Sequence, residues 1–450
     1  MTTTVPAHEK QWLGHPRGLF TLFFTEMWER FSYYGMRALL VLYMTGSTIQ
    51  PGLGFPVKYA MHIYALYTFL VYVAGVPGGW IADNYLGHKR AVLVGGIVIA
   101  CGHFSMAVPR LPFFYFGLGL IIIGTGFLKT NVSTIVGSLY RKDDPRRDSA
   151  FSIFYMGINL GAAISPIIVG WLGQKLNWHI GFGAAGVGMI FGVMQYIAGQ
   201  KYLVAVSEEE KAVTTRIVAP EVTESNEPFT PADWGRIGAV VIVSLFALIF
   251  WAGFEQAGSS LNLFADRATR LTVFGYTYPS SWFQSVEAFG VLIFSGVFAW
   301  LWLFLARRGK DPSSPMKFFF GLVFASLSFA LLIPAARHFE ATQQRVSPNW
   351  LIGAYLLQTF GELCLSPIGL NLVTKLSPKR VVGLMMGVWF FALGSGNYVA
   401  GWLAGMIQDR SYSEVFRIVC IMIGVSAVLL LLLVPPIKKL MNERSSKVVA

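Results

Sequence analysis

The stretch TEMWERFSYYGMR, residues 25–37, places charged side chains inside an apolar run. Glu26, Glu29, Arg30 and Arg37 lie between the flanking segments GLFTLFF and ALLVLYM. With those flanks the run is longer than the roughly 20 residues that a helix needs to cross a bilayer. The stretch is therefore predicted to lie in a membrane-spanning helix that carries two acids and two bases.

The charges of this predicted helix share one face. At about 100° per residue, Glu26, Arg30, Tyr33 and Arg37 fall within about 60° of arc, with Glu29 at one shoulder. Glu29 and Arg30 lie near the middle of the run, where a charge that faces lipid costs several kcal/mol. We therefore expect the polar face to be turned toward a protein or water-filled interior.

The composition excludes a water-soluble protein. The chain has 450 residues, of which 54% are hydrophobic and only 13% are charged. A soluble core cannot bury that much apolar surface, so an all-α membrane protein with many spans is predicted. Twelve apolar runs are long enough to be spans, at residues 19–44, 58–82, 91–109, 112–139, 150–173, 179–200, 237–262, 283–305, 317–336, 350–374, 382–407 and 415–436.

The distribution of Lys and Arg predicts the orientation. With an even number of spans both termini lie on one side, and that side holds roughly 23 basic residues against roughly 9 on the other. Basic residues favour the cytoplasmic side, so we expect a multi-pass protein of the cell inner (plasma) membrane with both termini cytoplasmic. The net charge of +12 follows from this arrangement and needs no nucleic-acid partner.

The three cysteines, Cys101, Cys364 and Cys420, all fall inside predicted spans. We expect buried free thiols and no disulfide framework, because cysteines in such positions usually act as small apolar side chains.

One long polar segment, residues 201–235, divides six predicted spans from six. We therefore expect an N-terminal six-helix bundle over residues 1–200, a cytoplasmic linker over 201–235 and a C-terminal six-helix bundle over 236–450. This layout is typical of the major facilitator fold, in which two halves pack around a site near the bilayer midplane.

The loop after the second predicted span, GGWIADNYLGHKR, resembles the loop motif of major facilitators. Its glycines, among them Gly78 and Gly87, allow a close approach of helices and a tight turn. Asp83 is expected to accept hydrogen bonds from a helix N-terminus or to pair with an arginine.

Further charges fall inside later predicted spans, at Lys129, Glu255, Glu287 and Glu362. Together with the first span they give five acids and three bases, which is an excess of two negative charges if all are ionised. An interior of low dielectric constant makes this excess costly, so at least one carboxylate is predicted to hold a proton under some conditions. These residues alone suggest that the protein moves protons.

Four motifs carry a resemblance to a known family. ExxERFSYYG begins at Glu26, GGWIADNYLG ends the second span, FYMGINLG ends at Gly161 and GELCLSP ends at Pro367. In content and order these motifs resemble the proton-coupled oligopeptide transporter family of the major facilitator superfamily. The resemblance implies twelve transmembrane helices in two six-helix bundles, and a symporter that imports di- and tripeptides by alternating access.

The resemblance also implies which residues couple transport to protons. Glu26, Glu29 and Arg30 match the acid, acid and base of the first span that the family uses for proton coupling. Arg37 matches a base that pairs with the acid of the seventh span, Glu255, and the pair closes the extracellular side. Glu255 is expected to take part in proton coupling as well.

A peptide-binding set follows from the same resemblance. Lys129, together with Arg30 and Arg37, is expected to favour the peptide's carboxylate, and Glu362 is expected to pair with its amino terminus. Trp389 is expected to line a side-chain pocket. The set is completed by three partners for the peptide backbone and one further carboxylate, namely Tyr34, Tyr72, Asn159 and Glu287.

Some positions depart from the family pattern. Certain members carry a histidine where this chain has Ala65, so a histidine-centred proton relay is not expected. In the eighth span the family's usual asparagine and proline are replaced by Glu287 and Ala288. This change either alters contacts to the peptide backbone or adds a titrating group.

Two other functions are open at this point. A related major facilitator that carries nitrate, amino acids or drug-like anions is one, although Glu26, Glu29 and Glu362 argue against a simple anion carrier. An intramembrane enzyme is the other, but the sequence shows neither a nucleophile with a base nor a metal cluster. We therefore expect a transporter that is not an enzyme, acts as a monomer in the lipid bilayer, uses protons as the coupling ion and needs no metal or cofactor.

Overall fold

The computed structural model describes residues 11–141, 144–203 and 229–448. Ten of the helices in these ranges are long and apolar enough to cross a membrane. Two more of similar length, Arg17–Thr45 and Asn349–Leu376, coincide with the first and tenth predicted spans. Each of the twelve predicted apolar runs therefore falls on a long helix in the described part of the chain.

The described helices follow one another with short connections. They are α1 (Arg17–Thr45), α2 (Val57–Val73), α3 (Gly75–Ile81), α4 (His88–Met106), α5 (Leu111–Ser138), α6 (Arg146–Trp171), α7 (Trp178–Gly199), α8 (Pro231–Phe254), α9 (Ser260–Ala268), α10 (Gln284–Arg307), α11 (Ser314–Thr342), α12 (Asn349–Leu376), α13 (Val382–Gly405) and α14 (Tyr412–Val448). The described strands are β1 (Gln11–Trp12), β2 (His15–Pro16), β3 (Thr272–Val273) and β4 (Tyr276–Thr277).

Each strand pair is an antiparallel hairpin closed by a two-residue turn. Leu13 and Gly14 have φ angles of 51° and 79°, and Phe274 and Gly275 have φ angles of 49° and 79°. Positive φ at both turn positions is typical of a type I′ turn, whose twist matches that of the two strands.

Arg146 connects the first hairpin to the start of α6. Its Nη1 donates a hydrogen bond to the Gly14 carbonyl oxygen at 3.0 Å, and its Nη2 donates to Asp144 Oδ2 at 2.8 Å. Hydrogen bonding from this guanidinium holds the pKa of the Asp144 carboxyl below its usual range. The segment that leads into α1 is thereby attached to α6.

The described contacts divide the chain into two compact units. The first comprises Met1–Met36 and Ala74–Thr223. In it α4 and α5 are packed closely, since a Cβ at Gly95 would lie 2.6 Å from the Gly124 carbonyl oxygen. Glycine at such contacts lets the backbones of two membrane helices approach each other.

The first part of α1 packs against α6 through Gly157 and Gly161. A Cβ at Gly157 would lie 2.9 Å from the Phe23 carbonyl oxygen, and a Cβ at Gly161 would lie 2.9 Å from the Phe31 backbone nitrogen. Neither position has room for a side chain. These two glycines of the FYMGINLG motif therefore determine how α6 holds the charged stretch of α1.

The second unit comprises Arg37–Val73 and Glu224–Ala450. The last part of α1 and all of α2 are thus grouped by their contacts with the C-terminal helices. The predicted domains over residues 1–200 and 236–450 instead follow the order of the chain, and these bounds stay a prediction.

Two contacts hold the early segment of the second unit in place. Asn262 Nδ2 of α9 donates a hydrogen bond to the Ala38 carbonyl oxygen of α1 at 2.9 Å. A Cβ at Gly401 of α13 would lie 2.6 Å from the Ala65 Cβ of α2. Helices α1 and α2 are therefore packed against α9 and α13 without intervening side chains at these points.

Residues 204–228 of the predicted linker 201–235 lie outside the described residues. The helix that follows begins at Pro231, where Thr230 Oγ1 accepts a hydrogen bond from the Asp233 backbone N–H at 3.2 Å. An Asp233 carboxylate oxygen accepts one from the Thr230 backbone N–H at 3.1 Å in return. This capping box starts the helix before residue 237, the position that the apolar run predicted.

The three cysteines are free thiols, but their burial differs from the prediction. Cys364 is buried and Cys420 is half-buried, whereas Cys101 is exposed on α4. The prediction of burial was wrong for Cys101, because an apolar run does not tell which side of its helix a residue occupies.

Candidate functional site

Glu26, Glu29 and Arg30 form a buried cluster on α1. Their exposed fractions are 2%, 0% and 5%. Arg30 Nε donates a hydrogen bond to Glu26 Oε1 at 2.8 Å and lies 2.7 Å from Glu29 Oε2. One N–H cannot point at both oxygens, so Glu29 contacts the guanidinium without accepting a hydrogen bond. The prediction that these charges are turned to an interior is confirmed by their burial.

The cluster carries more negative than positive charge. Two carboxylates face one guanidinium, and within the described residues both oxygens of Glu29 and Nη2 of Arg30 have no hydrogen-bond partner. Lys129 of α5 adds an electrostatic interaction with Glu29. A buried carboxylate without hydrogen bonds is costly, so a proton on Glu29 would relieve the imbalance.

Arg37 and Glu255 form a buried ion pair in the second unit. Arg37 Nη1 lies 2.7 Å from Glu255 Oε2, and the two residues are 4% and 3% exposed. Glu255 directly follows α8, where the chain tightens into a turn over Glu255–Gly258 before α9 begins. The two side chains that the sequence pairs are in contact, and their role in closing the extracellular side stays a prediction.

Gly258 leaves the space that this ion pair occupies. A Cβ at this position would collide with the Tyr64 hydroxyl of α2 and would lie 3.1 Å from Arg37 Nε. Tyr64 is itself fully buried. The break between α8 and α9 therefore needs glycine at residue 258, because a side chain there would displace Arg37 or Tyr64.

Glu287 and Glu362 lie on facing helices of the second unit. Glu362 of α12 is buried, and Glu287, in the first turn of α10, is half-buried. Thr359 Oγ1, one turn before Glu362, donates a hydrogen bond to the Glu287 carbonyl oxygen at 3.3 Å. Glu287 interacts electrostatically with Glu362 and with both members of the Arg37–Glu255 pair. Three predicted acids of the second unit are thus grouped with Arg37.

The other predicted peptide-binding residues are distributed over both units. Tyr34, Lys129 and Asn159 belong to the first, and Tyr72 and Trp389 belong to the second. Tyr34, Lys129 and Tyr72 are half-buried, whereas Asn159 is buried and its Nδ2 donates to a carbonyl oxygen of its own helix α6. The roles of these residues in binding stay predictions.

Trp389 fills space inside the second unit. It is buried on α13, and its ring lies 6.2 Å from the ring of Phe318 on α11. A Cβ at Gly369 of α12 would overlap with the Trp389 ring, so glycine makes room for it. The indole is packed among three helices, and its part in a side-chain pocket stays a prediction.

The loop motif after the second span follows the prediction except at Asp83. Gly78 lies against the backbone of Gly126, and Gly87 has a φ of 72°, which lets the chain turn before α4. The charged neighbour of Asp83 is His88, whose Nε2 lies 3.6 Å from Asp83 Oδ1, and not an arginine. The predicted partner was wrong because the turn at Gly87 brings His88 back toward Asp83.

Sequence reasoning missed two residues beside the acids of the second unit. Tyr355 lies seven residues before Glu362 on α12, is fully buried, and donates from its hydroxyl to the Ala257 carbonyl oxygen at 3.5 Å. Gln284 lies three residues before Glu287 on α10 and is 9% exposed. Spacings of three and seven keep residues on one helix face, so the spacing from each acid was the available signal.

Comparison with known proteins extends this picture. A model of the POT family matches residues 89–220 and 208–419. The uncharacterized transporter YclF of Bacillus subtilis (strain 168) is 40% identical, over 96% of both chains. The di-/tripeptide transporter of Lactococcus lactis subsp. cremoris is 33% identical, over 97% of this chain and 98% of its own. A crystal structure of the peptide transporter POT in complex with sulfate has a TM-score of 0.85 and 36% identity, and the match covers 96% of this chain and 97% of that one.

These similarities cover nearly the whole chain, and they confirm the resemblance that the four motifs carried. They also confirm the predicted fold class, an all-α membrane protein with the major facilitator fold of twelve transmembrane helices in two six-helix bundles. With the buried charges of α1 and the relatives in agreement, the chain belongs to the POT family of transporters.

Proposed function

We propose that the chain is a symporter that imports di- and tripeptides together with protons by alternating access. Its membership of the POT family and its similarity to a di-/tripeptide transporter support the peptide substrate. The buried cluster of Glu26, Glu29 and Arg30 is the observation that carries proton coupling, because its carboxylates outnumber its guanidinium. Protons serve as the coupling ion, and the function is transport and not catalysis.

Proton binding acts through Arg30. In the unprotonated cluster the guanidinium is held by Glu26 and Glu29 together. A proton on Glu29 removes one of these two anionic partners, and Nη2 of Arg30 already has no hydrogen-bond partner among the described residues. Protonation therefore frees the guanidinium to bind a carboxylate of the substrate, which links the proton to the peptide.

The peptide's two ends bind to groups of opposite charge. Arg30 and Lys129, with Arg37, favour the peptide carboxylate, and Glu362 favours the terminal ammonium. A zwitterionic peptide needs both kinds of group, and polar or aromatic side chains for the rest of its length. Those further residues are Tyr34, Tyr72, Asn159, Glu287 and Trp389.

The setting of this transporter follows from its charges and spans. Basic residues concentrate in the loops on the side of the termini, so we place both termini in the cytoplasm and the protein in the cell inner membrane. The protein acts as a monomer in the bilayer and needs no bound cofactor.

Uptake into proteoliposomes tests this function. Purified protein is reconstituted, and labelled dialanine is supplied outside with an inward proton gradient or with the gradient collapsed by a protonophore. We expect accumulation of dialanine above equilibrium only with the gradient. Labelled nitrate and labelled free alanine are assayed in parallel, and accumulation of either one in place of dialanine would favour the alternative carriers and overturn the proposal.

A further inference from the structure

One face of α12 is turned toward the first turns of α10. Tyr355, Thr359 and Glu362 follow one another at spacings of four and three residues, so they share that face. Thr359 Oγ1 donates to the Glu287 carbonyl oxygen, and a Cβ at Gly290 would lie 2.9 Å from the same Oγ1. The missing side chain at Gly290 lets the two helices approach, and this approach brings Glu287 toward Glu362.

The charges around Glu287 do not balance. The charged groups that act on it are Glu362, Glu255 and Arg37, which makes three carboxylates with Glu287 itself and one guanidinium. Arg37 Nη1 is already bonded to Glu255 Oε2 at 2.7 Å. Within the described residues the Glu287 side chain forms no ion pair. The group therefore has an excess of negative charge that a cation would compensate.

Gln284 adds an independent indication of a ligand. It is 9% exposed, and in the described part of the chain neither its Nε2 nor its Oε1 has a hydrogen-bond partner. It lies one turn before Glu287, so its amide is on the same side of α10. A buried polar group without a partner costs about 1–3 kcal/mol, and this cost is recovered when a ligand supplies the missing hydrogen bonds.

We propose that Gln284, Glu287 and Glu362 form a subsite for a second positive charge, so that peptides with a cationic amino-terminal residue, such as lysyl peptides, are preferred substrates. This inference rests on the proposed function, in which Glu362 binds the terminal ammonium. Glu287 then pairs with the side-chain ammonium of the same residue, and Gln284 Oε1 accepts a hydrogen bond from it. An acidic first residue would be repelled by the same carboxylates.

A competition assay with matched peptides tests the subsite. Uptake of labelled dialanine is inhibited with lysyl-alanine and with norleucyl-alanine, which has nearly the same shape without the charge. We expect lysyl-alanine to compete about tenfold better, equivalent to about 1.4 kcal/mol. Alanyl-lysine serves as a positional control, since its charge is on the second residue and its competition should not depend on Glu287.

The variants Glu287→Gln and Glu287→Asn should bring the ratio of lysyl- to norleucyl-alanine close to one. Asp311→Asn is the matched control, because Asp311 is an exposed acid paired with Lys317 outside the subsite, and it should keep the parent ratio. If either Glu287 variant does not transport dialanine, peptide binding to the purified variant is measured by calorimetry.

A ratio near one in the parent, or an unchanged tenfold ratio in the Glu287 variants, overturns the subsite. The parent measurement needs no variant to fold, so it decides the question by itself if necessary. Failure of the proposed function gives a different result, because labelled dialanine would then not accumulate in the parent at all.

Discussion

At the scale of single residues, Arg30 is the group through which two acids interact. Its Nε–H donates to Glu26, and Glu29 contacts the same nitrogen without a hydrogen bond of its own. Glu29 is therefore the member of the cluster that loses least when it takes up a proton. The asymmetry between two acids of the same type comes from geometry alone.

Replacement of Glu29 tests this asymmetry. The change Glu29→Gln mimics the protonated acid permanently, so the cycle can still carry peptide but has no proton to release. We expect gradient-driven uptake of labelled dialanine to fall to the level without a gradient, while counterflow of labelled against unlabelled dialanine is partly retained. Asp311→Asn is the control, and gradient-driven uptake at the parent rate in Glu29→Gln would contradict the role of Glu29.

The role of Glu362 predicts a requirement for a free amino terminus. N-acetyl-dialanine lacks the ammonium and loses a charge-assisted hydrogen bond of about 1.5–3 kcal/mol. We expect its apparent affinity to be about 10- to 150-fold lower than that of dialanine, measured by competition with labelled dialanine. Equal competition by the two peptides would remove Glu362 from this role.

Single residues also show what sequence reasoning can and cannot reach. The charged face of α1 was predictable because helical spacing and the cost of charge in lipid are both local properties. The partner of Asp83 was not predictable, because it depends on how the turn at Gly87 places His88. The amide of Gln284 was missed since nothing in its own neighbourhood marks it as buried.

At the scale of helices, glycine positions decide which elements meet. Gly157 and Gly161 set α6 against α1, and Gly290 sets α10 against Thr359 of α12. In each case the glycine faces backbone or a short polar side chain at a distance that no Cβ tolerates. The charged groups of the site are thus positioned by contacts at which no side chain is present.

Gly161 gives a direct test of helix packing. The change Gly161→Ala places a methyl group against the backbone of α1, and overpacking of this kind costs about 1–3 kcal/mol. We expect a lower melting temperature in detergent than for the parent. The matched control is Gly119→Ala on α5, where no atom lies within 4 Å of the added Cβ. Equal melting temperatures for the two variants would show that the contact does not matter.

The ion pair between α1 and the end of α8 is expected to act as a gate. Arg37 and Glu255 are both buried, and loss of one partner leaves the other as an unpaired charge. Protonation of Glu255 has the same effect reversibly, so Glu255→Gln should favour opening on the side that we propose to be extracellular. We expect faster labelling of Tyr34→Cys by an impermeant maleimide from outside, in a Cys101→Ser background.

Glu255→Asp is the matched variant for the gate, because it keeps the carboxylate. It should retain more of the parent's slow labelling than Glu255→Gln does, and more of its proton-driven uptake. The gate assignment is wrong if Glu255→Gln and the parent have equal labelling rates and equal uptake across pH.

The positions of the long helices were predictable from apolar runs, since each run needs only length and composition to be recognised. Their ends were less predictable, as the start of α8 shows. Its first turn is polar and is stabilised by Thr230 and Asp233, so a criterion based on hydropathy begins the helix too late. The tightened turn at Glu255 within the seventh span was not expected either.

At the scale of the whole molecule, the two compact units carry different charges of the proposed function. The first contains Arg30 and Lys129 with the proton-binding acids, and the second contains Glu287 and Glu362 with the Arg37–Glu255 pair. The family could be identified from four motifs because they include these charged residues. The grouping of residues 37–73 with the C-terminal helices could not, because it depends on contacts between segments far apart in the chain.

The central claim is that peptide and proton cross the membrane together. Its most direct test is proton flux driven by peptide, measured with a pH-sensitive dye inside proteoliposomes that start at equal pH on both sides and have a negative interior potential. Addition of dialanine outside should acidify the interior in the parent, and the acidification should be absent in Glu29→Gln. Entry of labelled dialanine into the parent without any acidification would contradict the account.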